Sequence, residues 1–230
     1  MYNNYQFNCK LYIVHFYFMS KKKHFHIVVL GNVASGKTTA SQILAHALKA
    51  HLVDADLFEE NPFLPMYAQD RPRWAFANEL YFTRARIKKL SEIKSLLRKS
   101  TVVVDSGILM SVWVYAKNHL KQGTMSAAEW QFYLDLISDM RKSAYDEEDL
   151  VVILKATTDA LLKRIEIRGR DFEKAYDQQY LFQLGDRLDE LAEKLRSENK
   201  KILEFDAEKY DIRREKDQKV FVKEVKKTLR

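Results

Sequence analysis

One stretch carries the clearest chemistry in the chain: Gly31-Asn32-Val33-Ala34-Ser35-Gly36-Lys37-Thr38-Thr39. A glycine, four intervening residues and then Gly-Lys-Thr is the spacing of a loop that wraps an anion. Glycines let the backbone turn tightly, and successive N–H groups point inward. A helix opening at the same place adds a partial positive charge of about +0.5. In such a loop Lys37 reaches the β- and γ-phosphates of a nucleotide and the Thr38 hydroxyl binds Mg²⁺, so every residue from Gly31 to Thr39 is a candidate for holding ATP. Two of the six glycines stand here.

The loop requires a strand before it and a helix after it. The apolar run Ile27-Val28-Val29-Leu30 precedes it, and helical spacing follows over 37–49. Four more short β-branched runs recur downstream. Together they are His26 to Leu30, His51 to Ala55, Thr101 to Asp105, Leu150 to Lys155 and Lys201 to Asp206. Long amphipathic segments separate them, over 73–99, 110–121, 127–143, 159–168, 173–198 and 214–229, with Thr158 or Asp159 and Ser126 as N-cap candidates. Strands alternating with helices predict an α/β fold with a parallel sheet. The unbroken apolar character of Val102-Val103-Val104 and Val151-Val152-Ile153-Leu154 places those two runs at its centre. Ligands of such sheets collect beyond the carboxyl ends of the strands. The residues to inspect there are the loop itself, Asp54 to Glu60, Asp105 to Gly107 and the arginines beyond Thr157.

Composition bounds the rest. The chain has 230 residues, 47% of them hydrophobic, and its only prolines, Pro62, Pro65 and Pro72, fall in one connection, so a single domain is expected. The 39 basic side chains exceed the 32 acidic ones, but the excess is scattered, which favours phosphate-bearing ligands over a nucleic-acid groove. Cys9 is the only cysteine and suits a reducing, cytoplasmic compartment. Leu11 to Met19 is too short to span a bilayer, for which about 20 residues are needed, and Lys21-Lys22-Lys23 lies on the wrong side of it for a signal peptide. Residues 1–24 therefore read as an N-terminal extension expected to be poorly ordered, with Met19 an alternative start, and 25–230 as the domain.

After the second strand comes Asp54-Ala55-Asp56-Leu57-Phe58-Glu59-Glu60-Asn61-Pro62-Phe63-Leu64, then Tyr67 and Arg71-Pro72-Arg73-Trp74-Ala75-Phe76-Ala77-Asn78-Glu79. This stretch resembles the deoxynucleoside kinase family, in particular its bacterial deoxyguanosine and deoxyadenosine kinase branch. The similarity continues through Tyr115-Ala116-Lys117-Asn118, Tyr133-Leu134-Asp135-Leu136, Arg164 to Glu173 and Tyr180-Leu181. It implies a P-loop NTPase-type three-layer fold with a five-stranded parallel sheet and a helical lid, forming a homodimer. The implied reaction is Mg²⁺-dependent transfer of the γ-phosphoryl group of ATP to the 5′-hydroxyl of a deoxynucleoside.

Residue by residue, the resemblance puts Asp56 at the position of the family's general-base glutamate, with Asp54 as its rival. Tyr67 matches the tyrosine on the sugar 3′-hydroxyl, and Trp74 and Phe76 are placed to wall the base pocket. Glu79 stands where the family has a base-reading glutamine. An ionised glutamate only accepts hydrogen bonds, so a purine acceptor would be guanine-type; the competing role for Glu79 is a pair with Arg71 or Arg84. Asp105-Ser106-Gly107 replaces an acidic residue followed by Arg-Ser. Asp105 can still meet the metal through its water shell, but the planar fork is lost. Either Arg71 or Arg84 supplies it, or the acceptor is another small hydroxyl compound. Arg164, Arg168 and Arg170 match the lid that stabilises the transferring phosphoryl group, and Glu173 matches the glutamate on the 3′-hydroxyl. By position alone, Asp206 to Tyr210 surrounds the adenine of ATP. A third reading is a nucleotide-binding regulator that has lost catalysis.

Overall fold

The computed structural model describes residues 24–54, 61–141, 147–170, 173 and 176–230. Its five strands are β1 (His26–Gly31), β2 (His51–Asp54), β3 (Val102–Asp105), β4 (Leu150–Lys155) and β5 (Ile202–Asp206). All are parallel, in the order β2-β3-β1-β4-β5, and β1 pairs Val28 with Val104 on one side and Val151 on the other. The two valine-rich runs flank the central strand, as their apolar character predicts.

Successive side chains of a strand point to opposite faces, and that alternation builds three layers. Val28, Leu30, Val104, Val151 and Ile153 face one core. It is closed by α3 (Arg71–Leu96), a π-helical stretch (Met110–Ala116) continuing as α4 (Lys117–Gln122), α5 (Ala127–Arg141), α6 (Thr158–Arg168) and α7 (Gln178–Ser197). Ile27, Val29, Val103, Val152 and Leu154 face the other core, closed by α1 (Lys37–Leu48) and α8 (Glu215–Leu229). A short helix, α2 (Leu64–Gln69), precedes α3.

The differences from expectation lie at element ends and have local causes. The proline-bearing connection contains α2, with Pro65 in its first turn, and α3 starts at Arg71 because the Asp70 side chain accepts from Arg73 N at 3.2 Å and Pro72 fits a first turn. The cap of α6 is Thr157, whose Oγ1 accepts from Ala160 N at 3.3 Å, in place of Thr158 or Asp159. Ser126 does cap α5: its Oγ accepts from Glu129 N while the Glu129 carboxylate takes the Ser126 N–H, a reciprocal box. The helix expected from residue 173 begins only at Gln178, capped by Asp177. His24 already belongs to the fold, its Nδ1 lying 2.9 Å from Leu97 O. The extension over 1–23 lies outside the described residues, as does Asp56.

Candidate active site

β1 ends in Gly31 at φ 157°, where a Cβ would stand 2.5 Å from Ser35 Oγ and 3.1 Å from the Leu154 carbonyl oxygen. Only glycine lets the loop pass so close to β4. Gly36, at φ 99°, turns the chain into α1 in the left-handed region that costs other residues strain. Asn32 braces the loop from inside: its Oδ1 accepts from Val33 N at 2.7 Å and its Nδ2 donates to Leu181 O on α7 at 2.7 Å. No side chain among the described residues caps α1, so the first-turn N–H groups face the loop. The Lys37 ammonium lies across that opening, donating to Asn32 O at 2.9 Å. Phosphate oxygens are stronger acceptors for it than a carbonyl.

At the loop's edge the Thr38 hydroxyl donates to Asp105 Oδ2 at 2.6 Å. Asp105 is buried at the end of β3, and Ser106 follows it at φ 56° with its own hydroxyl 3.4 Å from Oδ1. Two hard oxygen donors side by side fit Mg²⁺, which takes few protein ligands and completes its shell with waters and phosphate oxygens. Asp54 is exposed on β2 and pairs in register with Asp105.

A groove of about 470 Å³ runs beside the loop, lined by Gly36, Thr39, Arg168, Ala207, Lys209 and Ile212 among others. Arg164 holds its walls together, donating to Ser35 O at 3.3 Å and to Ala207 O at 2.6 Å. Arg164 is thus engaged by backbone carbonyls, and it lines the same groove as Arg168. Asp206 organises the turn after β5, its Oδ1 accepting from the N–H groups of Glu208 and Lys209, and it does not line the groove. The residues after it do. At the end of α6, Arg168 forks onto Glu173, Nε to Oε2 at 2.9 Å with a second parallel contact, and Arg170, beyond the helix, approaches the same carboxylate at 3.7 Å. A larger groove of about 1010 Å³ between α1 and α8 contains none of the loop or lid residues.

The second cavity beside the loop brings together Tyr67, Glu79 and Glu173 with Val33, Asn78, Arg86, Tyr115, Tyr176 and Tyr180. Its open space is about 50 Å³, whereas occupied small-molecule sites run to roughly 300 Å³ or more, so its walls must part to admit a nucleoside. Trp74 and Phe76 are not among its lining residues. Positions two apart on a helix diverge, and Trp74 stacks on Phe63 while Phe76 packs on Phe132. Neither arginine suggested for Glu79 pairs with it as an ion pair: Arg84 is exposed, and the Arg71 guanidinium lies over the rings of Tyr176 and Tyr180 at 5.9 and 5.1 Å. The cation that acts on Glu79 is Arg86, seven residues along the same face of α3, buried and donating to Ser111 Oγ.

Burial pushes the Glu79 carboxyl up to about 7, against the opposing pull of Arg86 and a hydrogen bond from Asn78. His119 on α4 lies behind it, Nε2 at 3.9 Å from Glu79 Oε1 and 3.1 Å from the Tyr67 hydroxyl. Burial, and then the Arg71 charge, lower the imidazole to about 4, so this contact is not an ion pair at neutral pH. The Thr124 hydroxyl donates to His119 O at 3.3 Å, which leaves its oxygen to accept from Nδ1–H at 2.8 Å. Nε2 is then the acceptor for Tyr67 O–H, and the Tyr180 hydroxyl faces the Tyr67 oxygen. Arg86, His119 and Tyr176 were not singled out in the sequence, and Tyr115 and Tyr180 stood there only as parts of matched motifs with no role assigned. Arg86 was legible as the i+7 partner of Glu79, whereas His119 lies one residue past a matched motif.

A Gly-Lys-Thr loop between β1 and α1, with one groove and one buried cavity beside it, has the arrangement of a small-molecule kinase of the phosphate-loop class. The deoxynucleoside kinase family model matches residues 27–230, and the chain belongs to that family. It is an enzyme, a transferase that phosphorylates deoxynucleosides from a nucleotide donor. The deoxyadenosine/deoxycytidine kinase of Bacillus subtilis (strain 168) is 32% identical over 158 residues, 67% of this chain and 70% of that protein. The deoxyguanosine kinase of the same organism is 29% identical over 160 residues, 69% of this chain and 73% of that protein. Deoxyadenosine kinase from M. mycoides with bound dATP superposes with a TM-score of 0.72 at 22% identity, covering 88% of this chain and 100% of its own. These relatives act on different bases. No helix among the described residues is long and apolar enough to cross a membrane.

Proposed function

We propose that the chain transfers the γ-phosphoryl group of ATP, with Mg²⁺ at Thr38 and Asp105, to the 5′-hydroxyl of a purine deoxynucleoside, deoxyguanosine being the acceptor when Glu79 is ionised. The observation that carries this reading is the shared cavity. Tyr67 and Glu173, the expected partners of the sugar 3′-hydroxyl, line it together with Glu79, although they come from three distant parts of the chain. A carboxylate offers two acceptors, and guanine presents N1–H and N2–H₂ side by side. Adenine instead sets one donor beside an acceptor and would leave a buried acceptor unmatched, at a cost of about 1 to 3 kcal/mol.

In this reading Gly31 to Thr39 hold the phosphates and Asp56 takes the 5′-hydroxyl proton. Arg168 and Arg170 exchange Glu173 for the transferring group once the acceptor sugar engages that carboxylate. Phosphoryl transfer depends chiefly on positioning and charge stabilisation, and the residues supply both. A cytoplasmic homodimer accompanies the reading, and size-exclusion chromatography with light scattering checks the assembly. The test of function is a product assay with labelled ATP across the four deoxynucleosides and their ribose counterparts. Phosphorylation of deoxyguanosine above the others at alkaline pH supports the proposal; transfer only to a non-nucleoside alcohol, or to none, overturns it.

A further inference from the structure

Glu79 is held in an arrangement that an ionised carboxylate alone does not account for. Its Oε1 accepts a 3.3 Å hydrogen bond from Asn78 Nδ2, while Oε2 is buried and has no hydrogen-bond partner among the described residues. An orphaned carboxylate oxygen inside a protein is costly, whereas a protonated one is a donor awaiting an acceptor. Both oxygens belong to a residue lining the cavity proposed for the acceptor.

The neighbours on every packed element decide what form the group can take. From α3 itself comes Arg86, the one cation among the described residues that acts on it, whose guanidinium donates to the Ser111 hydroxyl. From α4 comes His119, neutral, with the Nε2 lone pair already occupied by Tyr67 O–H, so it has no proton to give Glu79. From α2, α5 and the start of α7 come Tyr67, Tyr133 and Tyr180, and just before α7 Tyr176; burial raises all four phenols and keeps them uncharged. One distant cation, Arg71, is spread over two of those rings. The same cavity is lined by a second buried carboxylate, Glu173, held by Arg168 and Arg170, and by Tyr115. Full burial against the offset charge of Arg86 leaves both forms of the Glu79 carboxyl within reach of ordinary pH.

We propose that Glu79 reads the acceptor base in two protonation states: as a carboxylic acid it pairs with an adenine-type edge, and as a carboxylate with a guanine-type edge, so that proton concentration sets the acceptor preference. The acid presents Oε2–H as donor and Oε1 as acceptor, the same pattern as an amide, and matches adenine's N6–H₂ donor and adjacent ring nitrogen. The carboxylate presents two acceptors and matches guanine's N1–H and N2–H₂. The balance near about pH 7 agrees with the burial of the group. This inference rests on the reading of the cavity as an acceptor site.

The test measures kcat/KM for deoxyadenosine and deoxyguanosine side by side from about pH 6 to about pH 8, in the natural protein and in Glu79→Gln. Because kcat/KM reports ionisations of the free enzyme, the deoxyadenosine-to-deoxyguanosine ratio should fall about tenfold or more across that range, and in Glu79→Gln it should favour deoxyadenosine and stay flat. Dissociation constants of the two nucleosides, measured by calorimetry without ATP at both pH values, should move in the same sense. A ratio independent of pH in the natural protein, with both nucleosides phosphorylated, overturns this inference and leaves the kinase reading standing. So does a slope that survives in Glu79→Gln. Phosphorylation of neither nucleoside at any pH overturns both.

Discussion

The Thr38 hydroxyl donates to the Asp105 carboxylate across 2.6 Å, joining the first turn of α1 to the end of β3. The contact sets two oxygen donors at one edge of the phosphate loop, where a cation between them and the β- and γ-phosphates would find both. Thr38→Val keeps the shape and removes the oxygen. A contact of this kind with a charged group is worth about 1.5 to 3 kcal/mol, so the Mg²⁺ concentration for half-maximal turnover should rise about tenfold or more, with Thr38→Ser restoring it. An unchanged Mg²⁺ titration in Thr38→Val would remove Thr38 from the metal site.

Lys37 donates to the loop's own Asn32 carbonyl. Lys37→Ala therefore loses a phosphate partner without opening a core, and turnover should fall by more than about tenfold while the circular dichroism spectrum is kept. A rate equal to that of the natural protein would refute the phosphate-loop assignment.

The lid separates into two roles. Arg168 and Arg170 hold Glu173, whereas Arg164 ties Ser35 to Ala207 across the groove beside the loop. On the proposed reading, in which their contacts strengthen as charge spreads over the transferring group, Arg168→Ala and Arg170→Ala should lower kcat far more than they raise the nucleoside KM. Arg164→Ala should instead raise the KM for ATP by loosening the groove. Steady-state kinetics with each substrate varied in turn distinguishes the two, and a change confined to nucleoside KM in all three variants would place the arginines in the acceptor pocket.

The strands and the loop were legible because their signals are local. Unbroken apolar runs, β-branched residues and the Gly-Lys-Thr spacing each act within a few residues, and β4 ends where its sequence run ends. The cavity was legible only through resemblance, since Tyr67, Glu79 and Glu173 meet by way of the sheet topology. What escaped was the geometry within helices. Trp74 and Phe76 share a motif but diverge around α3, while Arg86 shares the Glu79 face two turns on. Caps were missed where the competing hydroxyl lay one residue away, as with Thr157 beside Thr158.

Glu79 and His119 also tie stability to pH, with opposite slopes. The Glu79 carboxyl is raised from 4.5 to about 7, so the native state holds its proton more tightly than the unfolded chain, and stability falls as pH rises through that interval. His119 is lowered from 6.5 to about 4, so the unfolded chain holds the proton more tightly, and stability rises with pH over its interval. Each amounts to about 3 kcal/mol, and the two largely offset one another where the intervals overlap. Glu79→Gln removes one of them. It replaces the acid with an uncharged amide of the same shape, so it should be near neutral at about pH 5 and stabilising by about 2 to 3 kcal/mol at about pH 8. Urea unfolding of both proteins at the two pH values gives the comparison directly. A stability difference that is the same at both would mean that the Glu79 carboxyl ionises in the folded protein as it does in the unfolded chain.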